Sequence, residues 1–331
     1  MKYDLSVIIP ARQEEWLSIT VEKILQEKRG KTEVIVVCDG NWPEPEVKDH
    51  PDVRIIYLSE SVGQRAAQNL GARLSSAKYV MKADAHVRFS EGFDVEMLKA
   101  FAELGDNVTM APMLLNLWCY DWKCLKCGSR WYQGPTPTRC MKRGKNTSEV
   151  LEHPECDGTK FIKRVVFKPR PDTPHSTSFR FDNMLHFQYF DEYKAKQEGD
   201  LVESLSLQGS CFMATRENYW KKQLCDESWG SWGQQGSEVA MKTWLSGGRV
   251  IMNKRCSMAH LFRTQPGFSF PYPQSGKSQQ KARDICNEIF KNNKWEQQVH
   301  PLSWLVEKFW PVPGWTDEDL RKLKEADARV K

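Results

Sequence analysis

The chain has 331 residues, 40% of them apolar and 27% charged, enough to bury a full-sized core, which excludes a disordered, collagen-like or coiled-coil protein. A formal net charge of +5 suits almost any partner, so where the charge lies says more than its size. No window approaches the roughly 18 uninterrupted apolar residues of a membrane span, and Met1-Lys2-Tyr3-Asp4 runs straight into a strand-like stretch, so a cytoplasmic, unanchored protein is expected.

Strand and helix patterns alternate over the first hundred residues, as a parallel α/β sheet requires. Leu5 to Pro10 is a nearly continuous apolar run, the mark of a strand buried on both faces. Helical spacing follows from Glu15 to Gln26, and Glu33 to Gly40 is a second strand that ends in the acidic turn Cys38-Asp39-Gly40. Arg54 to Leu58 is a third strand. After Gly63 a helix spans Gln64 to Leu74, and a fourth strand, Lys78 to Ala83, ends in Asp84-Ala85-His86. Ligands of open α/β sheets bind beyond the carboxyl ends of the strands, so Asp39 and Asp84-Ala85-His86 are expected to face one crevice. An acid and a histidine two positions apart on extended backbone point the same way and can share a divalent cation. His260, in Ala259-His260-Leu261-Phe262-Arg263, is the candidate third ligand. Mixed Asp and His ligation leaves room for diphosphate oxygens on Mn²⁺ or Mg²⁺.

From Cys119 to Arg170 the chain turns basic, turn-rich and cysteine-bearing. Twelve Lys and Arg against five Asp and Glu give this stretch +7 and leave −2 for the rest. Cys124-Leu125-Lys126-Cys127 is a CxxC on a turn, and with Cys140 and Cys156 it supplies four thiolates for a closed, structural zinc site; Cys119 or His153 could replace one ligand. Cys38, Cys211, Cys225, Cys256 and Cys286 lie in apolar surroundings and read as buried small hydrophobes. Lys142-Arg143-Gly144-Lys145, Lys163-Arg164 and Lys168-Pro169-Arg170 are interleaved with Trp118, Trp122, Trp131, Tyr132 and Phe167. Basic side chains neutralise phosphates and aromatics stack on unpaired bases, so DNA is the expected partner of this insert. Residues 171–275 return to α+β patterning, with Gly209 to Ala214 strand-like and Ser237 to Leu245 a helix closed by Gly247-Gly248. Residues 276–331 form a helical extension punctuated by Trp and Pro.

Several of these motifs, taken in order, resemble a known family. Leu5 to Trp16, the turn Val37-Cys38-Asp39-Gly40, the stretch Gly63 to Gly71, and Asp84-Ala85-His86 followed by Glu91-Gly92-Phe93 look like family-2 nucleotide-sugar glycosyltransferases of the GT-A fold. Within that group the chain resembles the catalytic domain of polypeptide N-acetylgalactosaminyltransferases, which carry D-x-H in place of D-x-D. Trp232-Gly233-Gln234-Gln235-Gly236-Ser237-Glu238 is similar to that family's W-G-G-E-N-x-E helix start, and His260-Leu261-Phe262-Arg263 to its H-x-F-R.

The resemblance implies an α/β, Rossmann-like GT-A fold with a mostly parallel sheet. Residues 1–118 would form the nucleotide-sugar-binding half and 171–275 the acceptor side, with 119–170 a zinc-ribbon-like insert and 276–331 a helical extension. It implies a UDP-sugar donor held by Pro10, Arg12, Glu14, Asp39, Arg65 and Asp84, Mn²⁺ (or Mg²⁺) on Asp84, His86 and His260, and Glu238, Trp232, Arg263 and Gln235 at the reacting centre. Where the family has Glu-Asn this chain has Gln235-Gly236, and glycine cannot remove a proton. A retaining, front-face transfer is therefore expected, in which the departing phosphate oxygen takes the acceptor proton. The basic insert makes a hydroxymethyl-pyrimidine of DNA the first-choice acceptor, as in phage enzymes acting in the host cytoplasm, with the target base flipped out. Transfer of a sugar such as GalNAc to protein Ser/Thr or a glycan is the alternative, and a degenerate transferase fold serving as a nucleic-acid-binding module is a third reading.

Overall fold

The architecture comes from a computed structural model, which describes residues 2–143, 150–153, 155–171, 173–264, 268–273 and 276–328. The chain opens with β1 (Leu5–Ala11), α1 (Leu17–Glu27), β2 (Thr32–Asp39), β3 (Val53–Leu58), α2 (Gln64–Leu74) and β4 (Tyr79–Ala83). β1, β2, β3 and β4 are parallel, in the order β4-β1-β2-β3, and every residue of β1 and β2 is buried. That burial on both faces is why these strands read as continuous apolar runs. α2 lies so close to the sheet that a Cβ at Gly71 would sit 2.5 Å from Ile8 Cγ2, so glycine there sets the distance between helix and sheet.

After β5 (Val87–Phe89) and α3 (Phe93–Leu104) comes β6 (Val108–Cys124), a 17-residue strand that belongs to two layers. Its first half pairs with the core sheet; its second half leaves the core and pairs with β7 (Arg130–Tyr132). A small hairpin, β8 (Met141–Arg143) and β9 (Val150–Glu152), follows, and β10 (Phe161–Pro169) returns along β6. The insert is thus an extension of a core strand and not the turn-rich segment expected from Cys119 onward. β6 carries residue 119 straight on because β7 and β10 continue its ladder as far as Cys124.

Next come β11 (Phe179–Phe181) and β12 (Phe187–Tyr189), a hairpin, then α4 (Asp191–Lys194), β13 (Leu201–Glu203), β14 (Cys211–Thr215), α5 (Arg216–Lys221) and α6 (Gln235–Leu245). β15 (Arg249–His260) completes the sheet, whose order is β13-β15-β6-β14-β4-β1-β2-β3, with β14 antiparallel to β4 and β15 parallel to β6. The segments on either side of the insert therefore share one sheet. α7 (Gly276–Lys291), α8 (Leu302–Lys308) and α9 (Asp317–Asp327) form the helical extension, which buries Phe290, Leu305, Phe309 and Trp315 against α6. Among the described residues no helix is long and apolar enough to cross a membrane.

Candidate active site

Two cavities meet at the carboxyl end of β4. The first, about 280 Å³, is lined by Pro10, Arg12, His86, His260, Arg263 and Tyr272 among others. The second, about 440 Å³, opens between Lys82, Ser210, the hairpin residues His186 to Gln188, and Gln234 to Ser237. Gln64, Asp84, Gln208 and Trp232 line both, so Asp84 and Trp232 stand where the cavities join.

At that junction Asp84, His86 and His260 offer three ligand atoms within 4.8 Å of one another. The carboxylate oxygens are divided. Asp84 Oδ2 lies 3.1 Å from His260 Nε2 and 3.9 Å from His86 Nε2, while Oδ1 takes the Lys82 ammonium. Burial pushes the Asp84 carboxyl up, but Lys82, the His260 hydrogen bond and the two rings outweigh it and hold the group below the usual carboxylate range. Burial likewise lowers His260 to about 4, against the pull of Asp84, so its ring is neutral at ordinary pH and can donate a lone pair. His86 Nδ1 is 2.9 Å from Glu14 Oε2, an arrangement that fixes the ring and turns Nε2 toward Asp84. Glu14 also accepts from Arg263 at 2.5 Å; burial raises its carboxyl, and His86 and Arg263 together lower it further than burial lifts it. One carboxylate and two imidazoles, with a braced second ligand, fit a hard-to-borderline divalent cation such as Mn²⁺. Arg12 Nε and Arg263 Nε are buried without protein partners, two N–H donors that suit an anionic ligand in the smaller cavity.

Three expected site residues lie elsewhere. Glu238 is fully buried and lines neither cavity; it is ion-paired to Arg65 and, at 2.7 Å, to Lys242. It braces α6 against α2. Arg65, 1% exposed, also donates to Gly233 O at 2.7 Å and has no face toward a donor. Asp39 is buried and accepts from Val62 N at 2.6 Å, Gly63 N at 3.0 Å and Ser61 Oγ at 2.9 Å, so it shapes the loop that begins α2 and does not line the smaller cavity. Pro10, Arg12, Glu14, Trp232 and Arg263 do line that cavity, and Gln235 lines the larger one while donating to Gln68. Gly236 has a packing reason: a Cβ there would stand 2.1 Å from Leu207 O, so the position cannot carry a side chain at all. Lys82, Gln64, Gln208 and Tyr272 were not anticipated. Lys82 and Asp84 share a strand face at a spacing of two, which is the signal that could have found the lysine.

The four cysteines of the insert also converge. Cys124, Cys127, Cys140 and Cys156 place their sulfurs within 4.8 Å, with Cys127–Cys140 at 3.4 Å and Cys124–Cys156 at 3.9 Å, near the ~3.8 Å expected between thiolates on one tetrahedral zinc. Gly158 lies so near that a Cβ would be 2.6 Å from Cys124 Sγ. Hydrogen bonds from Ser129 lower Cys127 to about 6. Cys119 packs instead with Trp16, Tyr120 and Phe167, and His153 is not in the cluster. In the basic stretch Lys142-Arg143-Gly144-Lys145, Gly144 and Lys145 lie outside the described residues. Phe167 and Trp131 are buried, which removes them as stacking platforms, whereas Arg164 and Lys168 are exposed on β10.

Residues 6–169 match glycosyl transferase family 2. The chain carries a family 2 glycosyl transferase domain. The chain is 25% identical over 250 residues to the putative polypeptide N-acetylgalactosaminyltransferase 13 of Drosophila melanogaster, covering 75% of the chain and 35% of the relative. It is 21% identical over 316 residues to human polypeptide N-acetylgalactosaminyltransferase 6, covering 92% and 45%. The chain thus spans less than half the length of these curated relatives. A crystal structure of GalNAc-T7 with UDP, GalNAc and Mn²⁺ superposes with a TM-score of 0.59 at 15% identity, over 98% of this chain and 54% of that one. That likeness, with the sheet order above, makes the fold of this chain GT-A.

Proposed function

We propose that the protein is a metal-dependent, retaining glycosyltransferase of the cytoplasm that moves an N-acetylhexosamine such as GalNAc from its UDP conjugate to a hydroxyl of a protein or glycan. The observation that carries this reading is the meeting of Asp84, His86 and His260 at the junction of two cavities, one suited to a nucleotide diphosphate and one to a sugar with its acceptor. A divalent ion on these three residues supplies charge neutralisation for the diphosphate leaving group. Arg12 and Arg263 offer buried N–H groups on the same side, and Trp232 forms the wall against which the sugar end lies. Apart from Asp84 no carboxylate among the described residues lines the larger cavity, which favours passage of the acceptor proton to the departing phosphate oxygen. Six glutamines at positions 64, 188, 208, 234, 235 and 279 line that cavity, a neutral, amide-rich surface that matches hydroxyls and the amide of an N-acetyl group or peptide.

With Mn²⁺ present, the protein should transfer from or hydrolyse UDP-GalNAc or UDP-GlcNAc, and Asp84→Ala and His260→Ala should each lower the rate more than about 100-fold, since a bound metal contributes several kcal/mol. Intact turnover in either variant would overturn the metal assignment. The names of the relatives favour the peptide or glycan acceptor over DNA. One observation keeps the DNA reading open to test: β10 exposes Arg164 and Lys168 along the insert. Charge reversal of both should leave transfer to peptide within about twofold; selective loss of transfer to hydroxymethyl-pyrimidine DNA would restore the DNA reading. The cysteine cluster is read as one structural zinc, independent of the transfer site.

A further inference from the structure

The larger cavity contains a cation that the chemistry above does not use. Lys82 is 2% exposed on β4, donates to Gly209 O at 2.7 Å, and contacts Asp84 Oδ1. An ammonium has three N–H donors, so one remains after these two contacts. The side chain lines the cavity beside Asp84, which puts that donor at the place where the bond between phosphate and sugar must lie in the proposed reaction. Gln64 Nε2 approaches the same Oδ1 at 3.5 Å, so both non-histidine contacts of the carboxylate fall on one oxygen and both histidine contacts on the other.

Resting on the reading of Asp84, His86 and His260 as metal ligands, we propose that Lys82 is a positioning residue with two effects. It reserves Asp84 Oδ1, so that a metal is held through Oδ2 alone, and it fixes a second positive charge at the junction of the cavities, where negative charge develops as the phosphate leaves. An ammonium behind the ligating carboxylate repels a divalent ion in front of it. The site therefore binds metal more weakly than its ligand set alone would, while the leaving group faces two cations in place of one.

The test uses the full chain and measures Mn²⁺ binding by calorimetry and by the electron paramagnetic resonance of free Mn²⁺, both without substrate. Lys82→Met should bind Mn²⁺ about tenfold more tightly than wild type and yet transfer sugar at least about 100-fold more slowly in kcat, with KM for the UDP-sugar changed by less than about threefold. Lys82→Arg, which keeps the charge, should bind Mn²⁺ within about threefold of wild type. If Lys82→Met does not fold, Lys82→Gln, neutral but still able to donate to Oδ1, carries the same expectation. A purely structural lysine would weaken Mn²⁺ binding and turnover together, and that result, or unchanged Mn²⁺ affinity in a folded variant, overturns the proposal. Absence of Mn²⁺ binding in the wild type would remove the metal reading itself, and this inference with it.

Discussion

His260 ties the site to pH through a single buried ring. Burial lowers its pKa from 6.5 to about 4, so between those values the unfolded chain binds a proton that the folded protein does not. Stability is therefore fully present above about pH 6.5 and is lost as the pH falls toward 4, by about 3 kcal/mol for a shift of this size. Urea unfolding in EDTA should show this slope, and His260→Gln should flatten it; an unchanged slope would mean that another group carries the effect. At residue scale the ligand triad was legible because a spacing of two on extended backbone is a geometric statement. Lys82, at the same spacing, was passed over because a lysine reads by default as solvated. Glu238 and Arg65 went the other way: charge at a helix start looks accessible, and only the packing of α2 against α6 shows that the pair is sealed in the core.

The six elements from β1 to β4 were legible to within a residue or two, since strands buried on both faces leave continuous apolar runs, whereas β5 and α3 went unread. The arm formed by β6, β7 and β10 was not, because its pairing is set by the partner strand and β10 is exposed on both faces, with Ile162 and Val165 about half exposed. What holds this arm closed is the cysteine cluster, packed on Trp131 and Phe161 with little other core. The purified protein should contain one zinc per chain by elemental analysis. Chelation, or Cys140→Ser, should release it and speed hydrogen exchange in 124–161 at least about tenfold, while amides of β1 and β4 stay protected. A metal-free protein with a well-protected arm would show that thiol packing alone suffices.

At the scale of the molecule, the sequence pointed to an α/β fold but not to the order of the strands in its sheet. β14 and β15, from beyond the insert, lie beside β4 and β6, and the Arg65–Glu238–Lys242 cluster fastens α2 to α6 from within. Such topology depends on long-range pairing, which local patterns do not encode. The expected excess of charge on the insert, by contrast, could be counted directly, and the exposed side chains of β10 carry part of it on one edge. The two strands of the arm close their ladder across the pair Cys124 and Phe161. Between those residues β7 pairs back onto Asp121 to Lys123 of β6, so the insert is tied to the core strand at its two ends and again within. The arm is thus a three-stranded unit that grows out of a core strand and contributes no wall to either cavity around Asp84.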